Sequence, residues 1–162
     1  MENTEDKNLG NRDTAGVIAP PPLIFGAGLA LGGLVTWFHP YPIMPWNAAV
    51  VLGFFPILFG LGVIFVAWRQ MRAAKTSIEP WHPTTAIVDT GVYALSRNPV
   101  YIALAEIYFG ITLIFNSFWF LPFLPLVMLV IHFGVVKREE RYLEAKFGDE
   151  YRDYMSRVKR WI

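Results

Sequence analysis

Arg97, Asn98 and Pro99 stand at the start of one apolar run, and Glu139 and Glu140 stand just past the end of the next. A guanidinium, a carboxamide and two adjacent carboxylates can form one polar site if the chain brings both blocks to the same membrane face. Two more ionisable groups lie inside the apolar runs themselves, Glu106 and His132. A charge is costly in hydrocarbon, so an acid or base there marks function or a polar partner. Glu106 lies seven residues past Pro99, and His132 lies seven before Glu139. At 1.5 Å per residue each is about 10 Å in from the same face. The expectation is that both face the bundle interior and hydrogen-bond each other. Plainer readings stand beside these. Asn98 is a good N-cap, Pro99 suits the first helical turn, and Arg97 is a membrane-flanking arginine. Glu106 and His132 also read as a structural polar pair between helices.

The elements that must position these groups are four apolar segments: Leu23 to Phe38, Trp46 to Trp68, Val100 to Phe115 and Phe118 to Val136. A spanning helix needs about 20 apolar residues. The second and fourth meet this, and the first and third are short, so they borrow flanking residues or sit in thinned bilayer. Gly28 and Gly32 form a G-x-x-x-G, and further glycines at 53, 60 and 62 let helix backbones approach closely. Pro56, Pro122 and Pro125 fall inside segments and are expected to kink them. Trp37, Tyr41, Trp46, Trp68 and Trp119 sit near segment ends, where amphipathic rings prefer the interface.

Composition agrees. Of 162 residues 54% are hydrophobic and only 17% charged, and the charges cluster in blocks. A soluble domain carries about 25% charged residues. The absence of cysteine excludes disulfides, thiolate metal sites and a cysteine nucleophile, and no metal is expected. Basic residues interleaved with acids at a membrane surface argue against nucleic-acid binding. The loop His39 to Pro45 and the turn Asn116-Ser117 carry no charge. The loop Arg69 to Pro99 and the eight basic residues from Lys137 onward are basic. The positive-inside rule puts both basic stretches, and with four spans both termini, in the cytoplasm. Spans three and four, joined by about two residues, form an antiparallel hairpin, which sets residues 97–101 beside 137–142.

Past the last span, Tyr142, Leu143, Phe147, Tyr151 and Tyr154 recur at helical spacing, interrupted near Gly148. This is a cytosolic amphipathic helical segment that could also rest on headgroups. The fold class is therefore all-α: a polytopic transmembrane helical bundle of about four spans with that segment appended. Residues 1–19 read as a polar, disordered tail without a secretory signal, 20–75 as a two-span region, and 76–162 as the part that carries the chemistry.

That last part resembles the isoprenylcysteine carboxyl methyltransferase and phospholipid methyltransferase superfamily of membrane enzymes. The resemblance rests on Gly91, Tyr93, Arg97, Asn98, Pro99 and Tyr101, then a helical hairpin, then Glu139, Glu140, Leu143, Phe147, Gly148, Tyr151 and Tyr154. It covers about residues 76–160. It implies an S-adenosylmethionine-dependent methyltransferase whose cofactor pocket faces the cytosol and whose lipophilic or lipid acceptor enters from the bilayer. Tyr93, Arg97, Asn98, Pro99, Tyr101, His132, Glu139 and Glu140 would bind the cofactor, with the two glutamates toward its polar end. Arg97, Glu106 and Glu140 would serve catalysis, and Lys137 or Arg138 the orientation of the acceptor. Many members have histidine where Asn98 stands, and asparagine cannot act as a base. Asparagine there resembles bacterial members, which implies a bacterial cytoplasmic membrane. A membrane reductase using NADPH is the alternative, since sterol reductases have a similar C-terminal region, although no G-x-G-x-x-G is present. A non-catalytic relative is the other.

Overall fold

A computed structural model describes residues 14–162, and among them every regular element is helical. Most of the expected polar tail lies outside the described residues. Helix α1 spans Pro21–Phe38. Its first residue is a proline, whose missing N–H is one that a first turn leaves unpaired anyway. Helix α2 runs from Trp46 to Ala73. Its apolar part ends near Trp68, but Arg69-Gln70-Met71-Arg72-Ala73 are all good helix formers, so the helix outlasts the apolar run by more than a turn. Helix α3 is a short piece, Val92–Leu95, and α4 spans Pro99–Ile114. A 3₁₀ turn, Phe118–Phe120, leads into α5, Phe123–Ile131. A π-helical turn, His132–Val136, then passes directly into α6, Lys137–Phe147. Gly148, with φ of 55°, breaks the helix before α7, Asp149–Arg157.

Among the described residues three stretches are long and apolar enough to cross a membrane: Pro21–Phe38, Trp46–Ala73 and Phe118–Phe147. The shorter α4 is apolar as well. The chain is thus a polytopic helical membrane protein. Pro122 and Pro125 do not kink a continuous helix. They fall at the start of α5, where the first four N–H groups lack intrahelical partners. Pro56 does lie within α2.

The chain forms two compact units. One comprises Pro21–Ile64 and Val100–Ile131. Small residues set its packing. Gly28 abuts Val127 and Tyr108, Gly32 abuts Phe120, Gly53 faces the Gly110 carbonyl and Gly60 faces the Ala103 carbonyl, so a Cβ at any of these would collide. Tyr108, fully buried, donates its hydroxyl to the Phe120 carbonyl at 2.9 Å. The two charge-free turns meet at one end of this unit. Asn116, in the left-handed region with φ of 48°, accepts from the N–H groups of Ile43 and Met44 at 3.1 Å each. Its amide donates to the Met44 carbonyl at 2.8 Å.

The other unit comprises residues up to Pro20, Phe65–Pro99 and His132–Ile162. Its apolar centre is Tyr151, Tyr154 and Val158, with Ile87, Leu143, Phe147 and Met155 packed around them. Helices α6 and α7 are therefore the expected amphipathic pair, and their aromatic stripe is core. Tyr142 is also an anchor: buried, it accepts from the Thr84 N–H at 3.4 Å and from Lys146 Nζ at 2.9 Å.

Candidate functional site

The site is built where an extended return of the chain meets the loop before α4. Gly91, with φ of 57°, turns the loop against the end of α2. The Gln70 side chain occupies the space a Cβ would need, and its Oε1 accepts from the Val92 N–H at 3.3 Å. Ser96 ends α3 in extended conformation. The next residues pair with the segment after α7. Arg97 N–H donates to the Lys159 carbonyl at 3.0 Å. The Ser96 hydroxyl and the Asn98 amide both donate to the Arg160 carbonyl, at 3.2 and 2.9 Å. Ser96 Oγ also accepts from the Asn98 N–H at 3.1 Å. Both side chains are buried, so this ladder fixes Arg97 and Arg160 side by side.

Glu140, on the first turn of α6, receives both arginines. Arg160 makes a fork, Nε to Oε1 and Nη2 to Oε2, each 2.8 Å. Arg97 Nη1 lies 3.0 Å from Oε1 as an ion pair. The Arg97 and Glu140 side chains are 10% and 13% exposed, and Arg160 is 36% exposed. Two cations thus share one anion, and the cluster carries surplus positive charge. Arg97 Nε is buried with no hydrogen-bond acceptor among the described residues, while the buried Nη1 meets Glu140 Oε1 as an ion pair. Buried N–H groups are nearly always paired, and leaving one unpaired costs about 1–3 kcal/mol. Arg97 is therefore held in place with its Nε donor to spare.

Three tyrosines back this cluster. Tyr154 donates its hydroxyl to the Tyr93 carbonyl at 2.8 Å, and the Tyr151 and Tyr154 rings lie 6.0 Å apart. Burial, reinforced by the Glu140 carboxylate and opposed by the Arg97 guanidinium against it, pushes the Tyr151 phenol up to about 12. Burial, then the neighbouring Tyr154 and Glu139, likewise raises Tyr93 above the ordinary phenol range. These hydroxyls stay neutral at physiological pH and act as hydrogen-bonding groups.

Of the residues singled out by sequence, Tyr93, Arg97, Asn98, Pro99, Glu139, Glu140 and His132 all belong to this unit. Arg97, Asn98 and Glu140 are joined through the Arg160 segment, and Glu139 occupies the same first turn as Glu140. The His132 ring lies 6.1 Å from the Trp161 ring. Tyr101, buried on the first turn of α4, and Glu106, half-buried on the same helix, belong to the other unit. Lys137 lies with Nζ 4.6 Å above the Phe133 ring, and Arg138 donates to the Gly16 carbonyl at 2.9 Å. Sequence reasoning missed Arg160, Trp161, Ser96 and Gln70. A basic residue and a tryptophan after the last amphipathic turn were the available signal for the first two.

The surroundings of Asn98 argue for positioning. Its Nδ2 is spent on the Arg160 carbonyl. Glu140 has both oxygens engaged by guanidinium groups. Its carboxylate holds both arginines in place.

A family model described as phospholipid methyltransferase matches residues 48–150. An uncharacterized protein of Haemophilus influenzae is 57% identical over 35 residues, 22% of this chain and 56% of that protein. The chain thus spans little more than half the length of that relative. No solved structure matches. The family match takes in Gly91, Tyr93, the Arg97–Asn98–Pro99 corner and both glutamates of α6, over well more than half the chain, and the chain belongs to the phospholipid methyltransferase family of membrane proteins.

Proposed function

We propose that this protein is an S-adenosylmethionine-dependent methyltransferase that acts on a lipophilic or membrane-partitioned acceptor. The carrying observation is Arg97, a buried guanidinium braced by Glu140 through Nη1 with Nε lacking an acceptor among the described residues. Donors of this kind fit an anionic group, and a carboxylate at the amino-acid end of the cofactor meets them with charge-assisted hydrogen bonds. The bound cofactor supplies an electrophilic sulfonium methyl group.

The chain's own residues do the rest. Arg97 binds and orients the carboxylate. The Glu140 ion pair, with the backbone pairing of Arg97 to Lys159, holds the Arg97 guanidinium in place, which lowers the entropy lost on binding. Glu139 supplies a carboxylate for the cofactor's ammonium group. Tyr93, Asn98 and Pro99 shape the surrounding wall, with His132 beside Trp161 contributing a polar edge. On α4, Tyr101 is assigned to cofactor binding, and Glu106 is the polar contact or base for an acceptor that arrives protonated. An acceptor that arrives as a carboxylate or thiolate needs no base, only alignment at about 3–3.5 Å from the reacting carbon. The basic stretches within this unit favour a cytoplasmic face for it, with both termini on that side of a bacterial cytoplasmic membrane.

Calorimetric titration of S-adenosylhomocysteine into the detergent-purified protein tests the reading. Micromolar binding that falls at least tenfold in Arg97→Gln, with the variant still folded, is the expected result. A folded protein that binds no S-adenosylhomocysteine overturns it, and NADPH binding in the same assay would install the reductase alternative.

A further inference from the structure

Helix α2 is longer than a bilayer core is thick. Its 28 residues reach about 42 Å at 1.5 Å per residue, against about 30 Å of hydrocarbon. With Trp46 at one interface, the helix re-emerges near Trp68, and its last turn stands at headgroup level. A cavity of about 340 Å³ opens there, lined by Trp68, Arg72, Lys75, Thr76, Ser77 and Glu79, among others.

Its chemistry is that of an anion site. Arg72 lies 5.0 Å from the Trp68 ring centroid, which holds the guanidinium at the cavity wall. Glu79, the acid of the lining, is turned to His82, with Oε2 3.0 Å from Nε2. No ion pair among the described residues engages Arg72 or Lys75. Thr76 Oγ1 accepts from the Thr85 N–H at 2.9 Å and Ser77 Oγ from the Glu79 N–H at 3.1 Å, which leaves both hydroxyl protons as donors. The chain here is wound against its own preference. The Thr76 N–H reaches back to the Met71 carbonyl at 3.0 Å, closing α2 with Lys75 in the left-handed region at φ of 56°. Glycine is the ordinary residue at that position. A lysine there carries backbone strain and gains a cation.

We propose that this cavity binds a phosphate group at the membrane surface, presented by the headgroup of an anionic phospholipid. Arg72 and Lys75 neutralise the phosphate, the Thr76 and Ser77 hydroxyls donate to it, and the Trp68 ring sits at the level of the glycerol backbone. The site shares no residue with the Arg97–Glu140–Arg160 cluster and does not depend on the methyltransferase reading.

The test is thermal unfolding of the full chain in mild detergent, titrated separately with dioctanoyl phosphatidylglycerol, dioctanoyl phosphatidylcholine and inorganic phosphate. The expected result is saturable stabilisation by the glycerol lipid at lower concentration than by the choline lipid. In Arg72→Gln/Lys75→Gln the half-saturation point should rise about 30-fold, from about 1 kcal/mol per basic residue near an anionic surface. Lys75→Gly separates fold from binding: it should unfold no lower than the parent without lipid yet need about 5-fold more lipid. Equal stabilisation by inorganic phosphate, lost in the same variants, would keep the phosphate site and remove the lipid from it. Unchanged half-saturation in the double variant, or an equal rise in the distant control Arg152→Gln, overturns the proposal.

Discussion

Removing Glu140 should destabilise the protein more than removing Arg97, and removing both should be milder than removing Glu140 alone. At an effective dielectric of about 20, opposite charges about 4 Å apart attract by about 4 kcal/mol. Stranding one member of a buried pair costs about 3–5 kcal/mol. Glu140→Ala strands Arg97, whose side chain is 10% exposed, while Arg160, at 36%, can turn to water. The low end of the range applies, about 3 kcal/mol. For a chain of this length that lowers Tm by about 6–12 °C. Arg97→Ala leaves Glu140 in its 2.8 Å fork with Arg160 and removes the unsatisfied buried Nε donor, so the cost is about 1 kcal/mol, chiefly lost packing of the stem. The double variant leaves no buried charge without a route to solvent and should recover about 1–2 kcal/mol relative to Glu140→Ala. Thermal unfolding of the three variants in one detergent reads all of this. If Arg97→Ala proves as damaging as Glu140→Ala, or the double variant is worse than either, the picture of a surplus cation held by one carboxylate is wrong.

Three further outcomes follow from the packing and the tyrosines. Tyr151, at about 12, and Tyr93 and Tyr154, raised further, lie above the ordinary phenol value of about 10. Their contribution to stability is full below pH about 10 and is lost as pH rises through about 12 and beyond. Absorbance of ionised phenol at 295 nm should therefore show three tyrosines that titrate only as the unit opens, and three normal titrations near 10 would refute the burial argument. Gly60→Leu should destabilise by about 1–3 kcal/mol, because Gly60 faces the Ala103 carbonyl and Ile107. Gly62→Leu, with open space at its Cβ, should be neutral or stabilising in the same thermal assay. Gly91→Ala should cost more than 1 kcal/mol, from its φ of 57° and the collision with Gln70. Adding Gln70→Ala should relieve only the collision, leaving a deficit in the same melt.

Much of the fold was legible because the bilayer constrains it. Charge-free runs near 20 residues mark spanning segments whatever their tertiary partners, and Trp46 and Pro99 mark two helix starts correctly. The Asn116-Ser117 turn was legible for the same reason, since two long apolar runs leave no other residues for a reversal. What hydropathy could not show was where a helix continues past its apolar part. Residues 69–73 prolong α2 on helix propensity alone, and that extension places Gln70 against Gly91. Nor could counting prolines separate Pro56, inside a helix, from Pro125, in a first turn that needs no N–H there.

The site was legible in part for a different reason. A tight hairpin makes residues near 97 and 140 neighbours by geometry, and their 3.0 Å ion pair needs nothing further from the sequence. Arg160 depends on the chain returning after α7 to lie along Ser96–Asn98, and no local pattern encodes that return. The π-helical turn His132–Val136 adds a second obstacle. One extra residue in the hydrogen-bonded ring shifts the following helix by about 100° relative to a regular 3.6-residue winding. The same turn brings Gly134, which has no side chain, against Ile18, whose N–H donates to the Gly134 carbonyl at 3.2 Å. So the departure from regular helix leaves a carbonyl that a preceding segment satisfies. The length of that apolar run was readable from hydropathy, but its π-helical turn was not, because the Ile18 N–H that satisfies the Gly134 carbonyl lies more than a hundred residues away.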